Sequence, residues 1–324
     1  MTKSFSTLLT CLFLAAAAYA QQPAQYSLFM MNKLNWNPAY AGMDNSLVVT
    51  GAYRSQWQGL EGNPVTQNIG LHLPLNIISS GFGINLENDE LGAQQRSSAT
   101  LMYNYQMGLG QRAVLSIGGS AGMMQRTLNG ELLRTPDGEY SEPGIIFHND
   151  DLLPSTGISG NVMTYGAGAY LLTEKFEAGL SVRHLTAPTA PLSEELSMKL
   201  ERVYFFSAQG HFDLSTVLSF HPALLVRSDV VQTQTDLALL FHYNDNIMGG
   251  ASLRGYDSNS LDAVALIAGF KLSEKITVAY AYDLTVSAIA QVSNGSHEIM
   301  LRYDLNKPLG TGRPPKIIYN PRSL

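Results

Sequence analysis

The residues best suited to chemistry are few and scattered. His211 and His242 fall on neighbouring alternating segments, beside Asp213 and Asp236. An imidazole next to a carboxylate is the pairing that makes a general base or a metal ligand. A second cluster, Asp137, Glu139, Glu142, Asp150 and Asp151, lies among Gly, Pro and Ser and offers the hard oxygens that calcium takes. Its spacing matches no calcium-binding loop motif, so solvated surface acids are the better reading. There is no His-Glu-x-x-His, no phosphate-binding loop and no Gly-x-Ser-x-Gly elbow. Gly81-Phe82-Gly83 and Gly108-Leu109-Gly110 lack the rest of a nucleotide fingerprint, and in strands such pairs mark bends or close packing. The lone Cys11 sits near the amino end, which excludes a disulfide scaffold and a thiolate metal site from the rest of the chain. No catalytic residue, cofactor or metal is expected, and the histidines read as polar packing inside a larger structure.

The elements that must hold these residues alternate. Ile276, Val278, Tyr280, Tyr282 and Leu284 share one face of a strand, against Thr277, Ala279, Ala281 and Asp283. Ile299, Leu301 and Tyr303 oppose Glu298, Arg302 and Asp304, and Val264, Leu266, Ala268 and Phe270 oppose Asp262 and Lys271. Upstream, Leu237, Leu239 and Phe241 oppose Asp236 and His242, while Leu101, Tyr103 and Tyr105 oppose Asn104 and Gln106. About 14 strands follow, near residues 46–54, 64–73, 80–88, 94–107, 111–127, 160–172, 175–186, 200–213, 216–228, 234–243, 246–256, 261–272, 275–284 and 296–305. Tight turns at 108–110, 173–175, 214–216, 244–246 and 273–275 alternate with longer links at 128–160, 187–199, 229–234, 255–260 and 285–295. Short turns at one end and longer loops at the other predict an all-β, up-and-down antiparallel transmembrane barrel, lipid outside and a polar lumen within. An even strand number puts both barrel ends in the periplasm.

Composition agrees. Only 14% of residues are charged, and a net charge of −6 without a basic cluster argues against nucleic acid. Residues 1–20 read as a secretory signal: Lys3, an apolar stretch from Leu8, then Ala18-Tyr19-Ala20 before Gln21. No later apolar run is long enough for a membrane helix. The expected organisation is a signal peptide at 1–20, a periplasmic or plug segment at 21–45, a barrel at 46–305 and a periplasmic tail at 306–324. The expected location is the outer membrane of a Gram-negative bacterium.

Residues 21–45 do not alternate and are rich in aromatic and apolar groups, so they should dock in the lumen, on the periplasmic rim or on a partner. The run Asn37-Pro-Ala-Tyr-Ala-Gly42, then Tyr53-Arg-x-Gln-Trp-x-Gly59, then Gly62-x-Pro-x-Thr-Gln67 and Pro74-Leu75 resembles the PorP/SprF family of type IX secretion and gliding machinery in Bacteroidetes. The resemblance covers roughly residues 25–80, with Asn63 where the family often has Ala. It implies a barrel without enzymatic activity that works through protein contacts. Implied partners are periplasmic secretion-system lipoproteins, secreted surface proteins, or both, besides outer-membrane lipid.

Three functions compete: an anchor or export accessory for a surface protein, a porin or small-solute transporter, and an outer-membrane enzyme. Inward-facing Met124, Val203 and Phe205 weigh against an open pore, and no triad supports an enzyme. The candidate partner contacts are Trp36, Asn37, Pro38, Tyr40, Arg54 and Trp57, with Arg313 and Lys316 in the basic tail. The N-terminal segment and the tail are both expected on the periplasmic side.

Overall fold

The computed structural model describes residues 23–110, 112–140, 146–150, 152–256 and 260–307. Fourteen strands run antiparallel in chain order: β1 Val48–Ser55, β2 Val65–Leu75, β3 Ser80–Leu91, β4 Gln94–Gly108, β5 Ala113–Asn129, β6 Gly157–Thr173, β7 Phe176–Arg183, β8 Val203–Gly210, β9 Leu218–Ser228, β10 Thr233–Tyr243, β11 Ile247–Tyr256, β12 Ser260–Ser273, β13 Ile276–Thr285 and β14 Ser296–Asp304. A short extension, Phe212–Asp213, continues β8 beyond His211 and pairs with β9. The circle closes where β1 meets β14, in a register from Val48↔Asp304 to Ser55↔His297. β8 meets β9 from Tyr204↔Ser228 to Gln209↔Ala223.

The alternation sorts the faces as expected. Leu266, Phe270, Leu284, Ile299 and Leu301 are exposed toward lipid, whereas Ala265, Ala281, Asp283, Glu298 and Met300 are buried inside. The exposed Leu, Ile, Phe and Tyr on thirteen of the fourteen strands would be a liability in water and are the requirement in hydrocarbon. Among the described residues no helix is long and apolar enough to cross a membrane; the strands do the crossing.

Several expected boundaries move. The strand expected at 175–186 stops at Arg183, because His184 and Ala187 take left-handed backbone, φ 57° and 45°. The link expected at 187–199 contains a small hairpin, Thr189–Pro191 with Ser197–Lys199. The link expected at 229–234 is a tight turn between Ser228 and Thr233. β6 begins at Gly157, three residues before the expected 160. The two ends of the barrel nevertheless differ: the described residues of 56–64, 130–140, 152–156, 184–202 and 286–295 all fall at the long-loop end, opposite the turns near 76–79, 174–175, 244–246 and 274–275.

Candidate functional site: a filled lumen

Residues 23–45 lie inside the barrel and run its length. The carboxyl end of the segment is at the short-turn end, where Asp44 meets His72 at 3.4 Å and Arg302 at 3.3 Å. Its amino end is at the long-loop end. There Gln25 accepts from Gln56, just past β1, at 2.9 Å, and the Ala24 carbonyl accepts from Arg227 at 3.0 Å. Between them the chain makes short helical turns at Phe29–Met31, Lys33–Trp36 and Pro38–Tyr40. Such turns satisfy part of the backbone locally, which a chain packed away from water needs.

The Asn37-to-Gly42 run sits directly on the barrel wall, and glycines make the approach possible. A Cβ on Gly81 would stand 1.9 Å from the carbonyl oxygen of Ala41, and one on Gly118 would stand 2.8 Å from the Cα of Ala39. A Cβ on Gly168 or Gly179 would collide with the Asn37 amide. That amide donates to the carbonyls of Ala169 and Leu180 on β6 and β7. Asn104 donates to the carbonyls of Ala39 and Ala41 at 2.8 and 2.6 Å. Gly42, at φ 69°, lets the chain turn away beside Leu73 and Pro74.

Midway, the contact is apolar. Tyr26, Leu28, Phe29, Met30 and Trp36 pack with wall residues that include Val203, Phe205, Leu225, Leu240 and Met300. Trp36 donates its indole N–H to the Phe29 carbonyl at 3.0 Å and meets the Tyr26 ring edge-on at 5.5 Å. This half of the lumen wall is not polar as the alternation suggested; its apolar side chains are covered by the segment instead of by water.

Buried charges flank the apolar zone. Toward the long-loop end, Arg54 bonds Asp283 at 2.7 Å and Glu298 at 3.2 Å, and Arg254 bonds Asp236 at 2.8 Å and Asp283 at 3.0 Å. Arg227 takes the other Asp236 oxygen at 2.9 Å. Three guanidinium groups thus face three carboxylates. Ser27 joins them: its hydroxyl donates to Asp283 at 2.6 Å, and its amide donates to Glu298 at 2.6 Å. A buried charge left alone is very costly, so each carboxylate here has an arginine or two. Toward the short-turn end, Lys33 pairs with Glu177, which also takes the Tyr170 hydroxyl at 2.7 Å and His211 at 3.2 Å. Just beyond β7, buried His184 has its pKa lowered to about 3 by burial and then by Arg183, Arg96 and Arg126, so it stays neutral.

Two small cavities lie against the segment. One cavity of about 20 Å³ is lined by Phe29, Trp36, Tyr170 and Ala223, and another of about 10 Å³ by Asn32, Thr50, His72 and Arg302. Each has room for about one water. Over the long-loop end the small hairpin folds inward, with Ala190 and Leu200 packed on Met124.

The expected site residues separate into groups. Trp36, Asn37, Pro38 and Tyr40 are buried in the lumen, and Arg54 is buried in the charge network. They lie within the barrel rather than on its periplasmic surface, because the segment threads inward. Trp57 is half-buried at the long-loop end, and its backbone N–H donates to Ser296 Oγ at 3.1 Å. Arg313 and Lys316 lie outside the described residues, as do Glu142 and Asp151 of the acidic cluster. The pairing of His242 with Asp236 does not form, since Asp236 binds Arg227 and Arg254 at the other end of the barrel. His211 instead meets His221 at 2.9 Å, and His221 stacks on His242. No group of three or more metal-ligating side chains occurs among the described residues. Ser27, Arg227, Arg254, Asp283 and Glu298 were missed as a set. The available signal was charge recurring on inward positions of strands rich in apolar residues.

A closed outer-membrane β-barrel with its own chain filling the lumen is what the fold and the site define. The chain belongs to the family described as type IX secretion system membrane protein PorP/SprF, which it matches over residues 18–303. No curated protein matches it. Solved structures to which it is similar include the CymD monoaromatic hydrocarbon channel, with 13% identity, 89% of this chain and 94% of that one covered, and a TM-score of 0.48. A Pseudomonas aeruginosa FadL homologue has 10% identity, coverage of 83% and 92%, and a TM-score of 0.47. The Ralstonia pickettii toluene transporter TbuX has 11% identity, coverage of 86% and 93%, and a TM-score of 0.45. Fold and family together place the protein in the outer membrane.

Proposed function

We propose that this protein is a sealed, non-enzymatic barrel that anchors, or helps to export, a surface protein of the type IX secretion or gliding machinery. It would act after removal of residues 1–20, in a Gram-negative organism of Bacteroidetes type. The observation that carries this reading is the filled lumen. A porin needs a water-lined path, and here residues 23–45 occupy that path with matched apolar packing and paired charges. What remains for function is the barrel's ends: the loops at one and the turns at the other, where the described chain ends at Lys307. A periplasmic lipoprotein would meet the latter. Contacts through Trp36 or Tyr40 would require the plug to leave its seat. Deleting the gene tests the reading: the secreted and surface proteome should change while uptake of small solutes does not. An unchanged surface proteome with slowed solute uptake would contradict it.

A further inference from the structure

β6 outruns its neighbour. It pairs with β5 along its whole length, from Asn129↔Gly157 to Ala113↔Thr173, but with β7 only from Gly166 to Leu172. The step arises because the chain leaves β7 at Arg183 and folds into the lumen as the small hairpin. Gly160 makes room for it: a Cβ there would stand 1.9 Å from the Pro191 carbonyl oxygen. The last tie on this side is the Leu185 N–H donating to the Tyr165 carbonyl at 2.9 Å.

That bond fixes which backbone groups are open. In an antiparallel strand, alternate residues direct both N–H and C=O to the same side. Tyr165 faces the vacated side, so Met163, Asn161, Ser159 and Gly157 do too. Among the described residues, none of these backbone groups has a hydrogen-bond partner there. The result is an open edge of roughly 20 Å at about 3.4 Å per residue.

Open edges do not occur against lipid, and this one, from Asn161 to Gly157, stands above it, with Met163 at the rim of the apolar band. The outward face of β5 and β6 is apolar at Met123, Met163 and Tyr165, then turns polar at Gln125, Asn161 and Ser159. Proteins usually blunt such an edge with charge, proline or a bulge. Residues 157–164 read Gly-Ile-Ser-Gly-Asn-Val-Met-Thr, with no charge and no proline, and their pairing with β5 has no bulge. The flanking loops are acidic. Glu131, Asp137, Glu139, Asp150, Glu194 and Glu195 are exposed there. Of the bases nearby, Arg134 donates to the Glu131 and Leu133 carbonyls at 2.6 Å, Lys199 is paired with Glu201 at 2.9 Å, and Arg202 donates to the Leu185 carbonyl at 2.8 Å, so the acids outnumber them.

We propose that the edge at residues 157–163 is a docking site for an extended segment of a secreted surface protein, which adds a strand to the barrel wall. Main-chain hydrogen bonds would supply affinity, as in β-strand addition generally. The segment is uncharged where it pairs and basic where it meets the flanking loops. The inference rests on the anchoring reading above and assigns it a place.

Asn161→Pro removes one edge N–H and leaves the bonds to β5 intact, since Gly160 and Val162 face that strand; proline is tolerated at sheet edges. In intact cells, a photo-crosslinking residue at Ser159 or Asn161 should capture a secreted surface protein through an uncharged, extended stretch. Asn161→Pro should lower surface retention of that protein about tenfold, with the heat-dependent gel shift of the folded barrel unchanged. If Asn161→Pro fails to fold, Ser159→Pro serves the same purpose. Adducts with a second copy of this chain, adducts at Asp137 but none at the edge, or undiminished retention in the proline variants would overturn the proposal. If gene deletion itself leaves surface retention unchanged, the anchoring reading fails first; if deletion matters and the proline variants do not, this inference alone fails.

Discussion

Arg54 and Asp283 meet at 2.7 Å inside the barrel, and the hydroxyl of Ser27 bonds both. Arg54 is on β1 and Asp283 on β13, two strands apart across the closing seam at β14. The plug segment is therefore clamped by the strands that complete the circle. Replacing Asp283 by Ala should leave Arg54 and Arg254 short of a buried partner and destabilise the barrel by roughly 3–5 kcal/mol. Urea unfolding followed by tryptophan fluorescence checks this, because Trp36 leaves its apolar cluster only when the plug is released.

The seat of the plug makes a sharper demand on size. Gly81→Val places atoms where the Ala41 carbonyl already lies, and overpacking of this kind costs about 1–3 kcal/mol, more where backbone must move. Gly51→Ala, on the same barrel with nothing within 4 Å of the added carbon, should be neutral. A shift of the unfolding midpoint for both variants alike, or for neither, would show that the glycine track does not hold the plug.

Leu266 is 54% exposed near the middle of β12, on the lipid face. Leu266→Arg should cost roughly 2–4 kcal/mol and reduce the folded fraction in the membrane. Gln125→Arg, on the outward face above the apolar band, should insert normally. Quantifying the heat-resistant folded band of each variant separates the two.

Loop lengths predict the orientation: the long loops should face outside and the short turns the periplasm. A cysteine replacing Asp137 should react with an impermeant maleimide in intact cells, and one replacing Glu274 should react only after lysis. The reverse labelling would invert the barrel in the membrane.

The strands were legible because lipid and lumen impose opposite polarity on alternate residues, as exposed Leu284 and buried Asp283 show. The turn at 273–275 was legible from its polar residues between two such strands. The character of the lumen was less so. Ala223, Leu225, Ala238 and Leu240 occupy inward positions, where an alternating pattern with apolar residues on both faces predicts nothing by itself. What they pack against, Phe29 and Trp36, is some two hundred residues away in the chain. The family motif at Asn37 to Gly42 was visible, but its role depended on glycines of β3, β5, β6 and β7 that only the closed barrel brings beneath it. The histidines do pack as polar groups, but their partners come from elsewhere in the chain: His211 meets His221 one strand over and Glu177 on β7.

The central claim is that the lumen is sealed by residues 23–45, and electrical recording tests it most directly. The purified full-length protein, reconstituted in a planar lipid bilayer, should produce no stepwise ion conductance at moderate voltage, although gel mobility shows it folded. Reproducible conductance steps from the folded, unmodified protein would contradict the account and favour a solute channel.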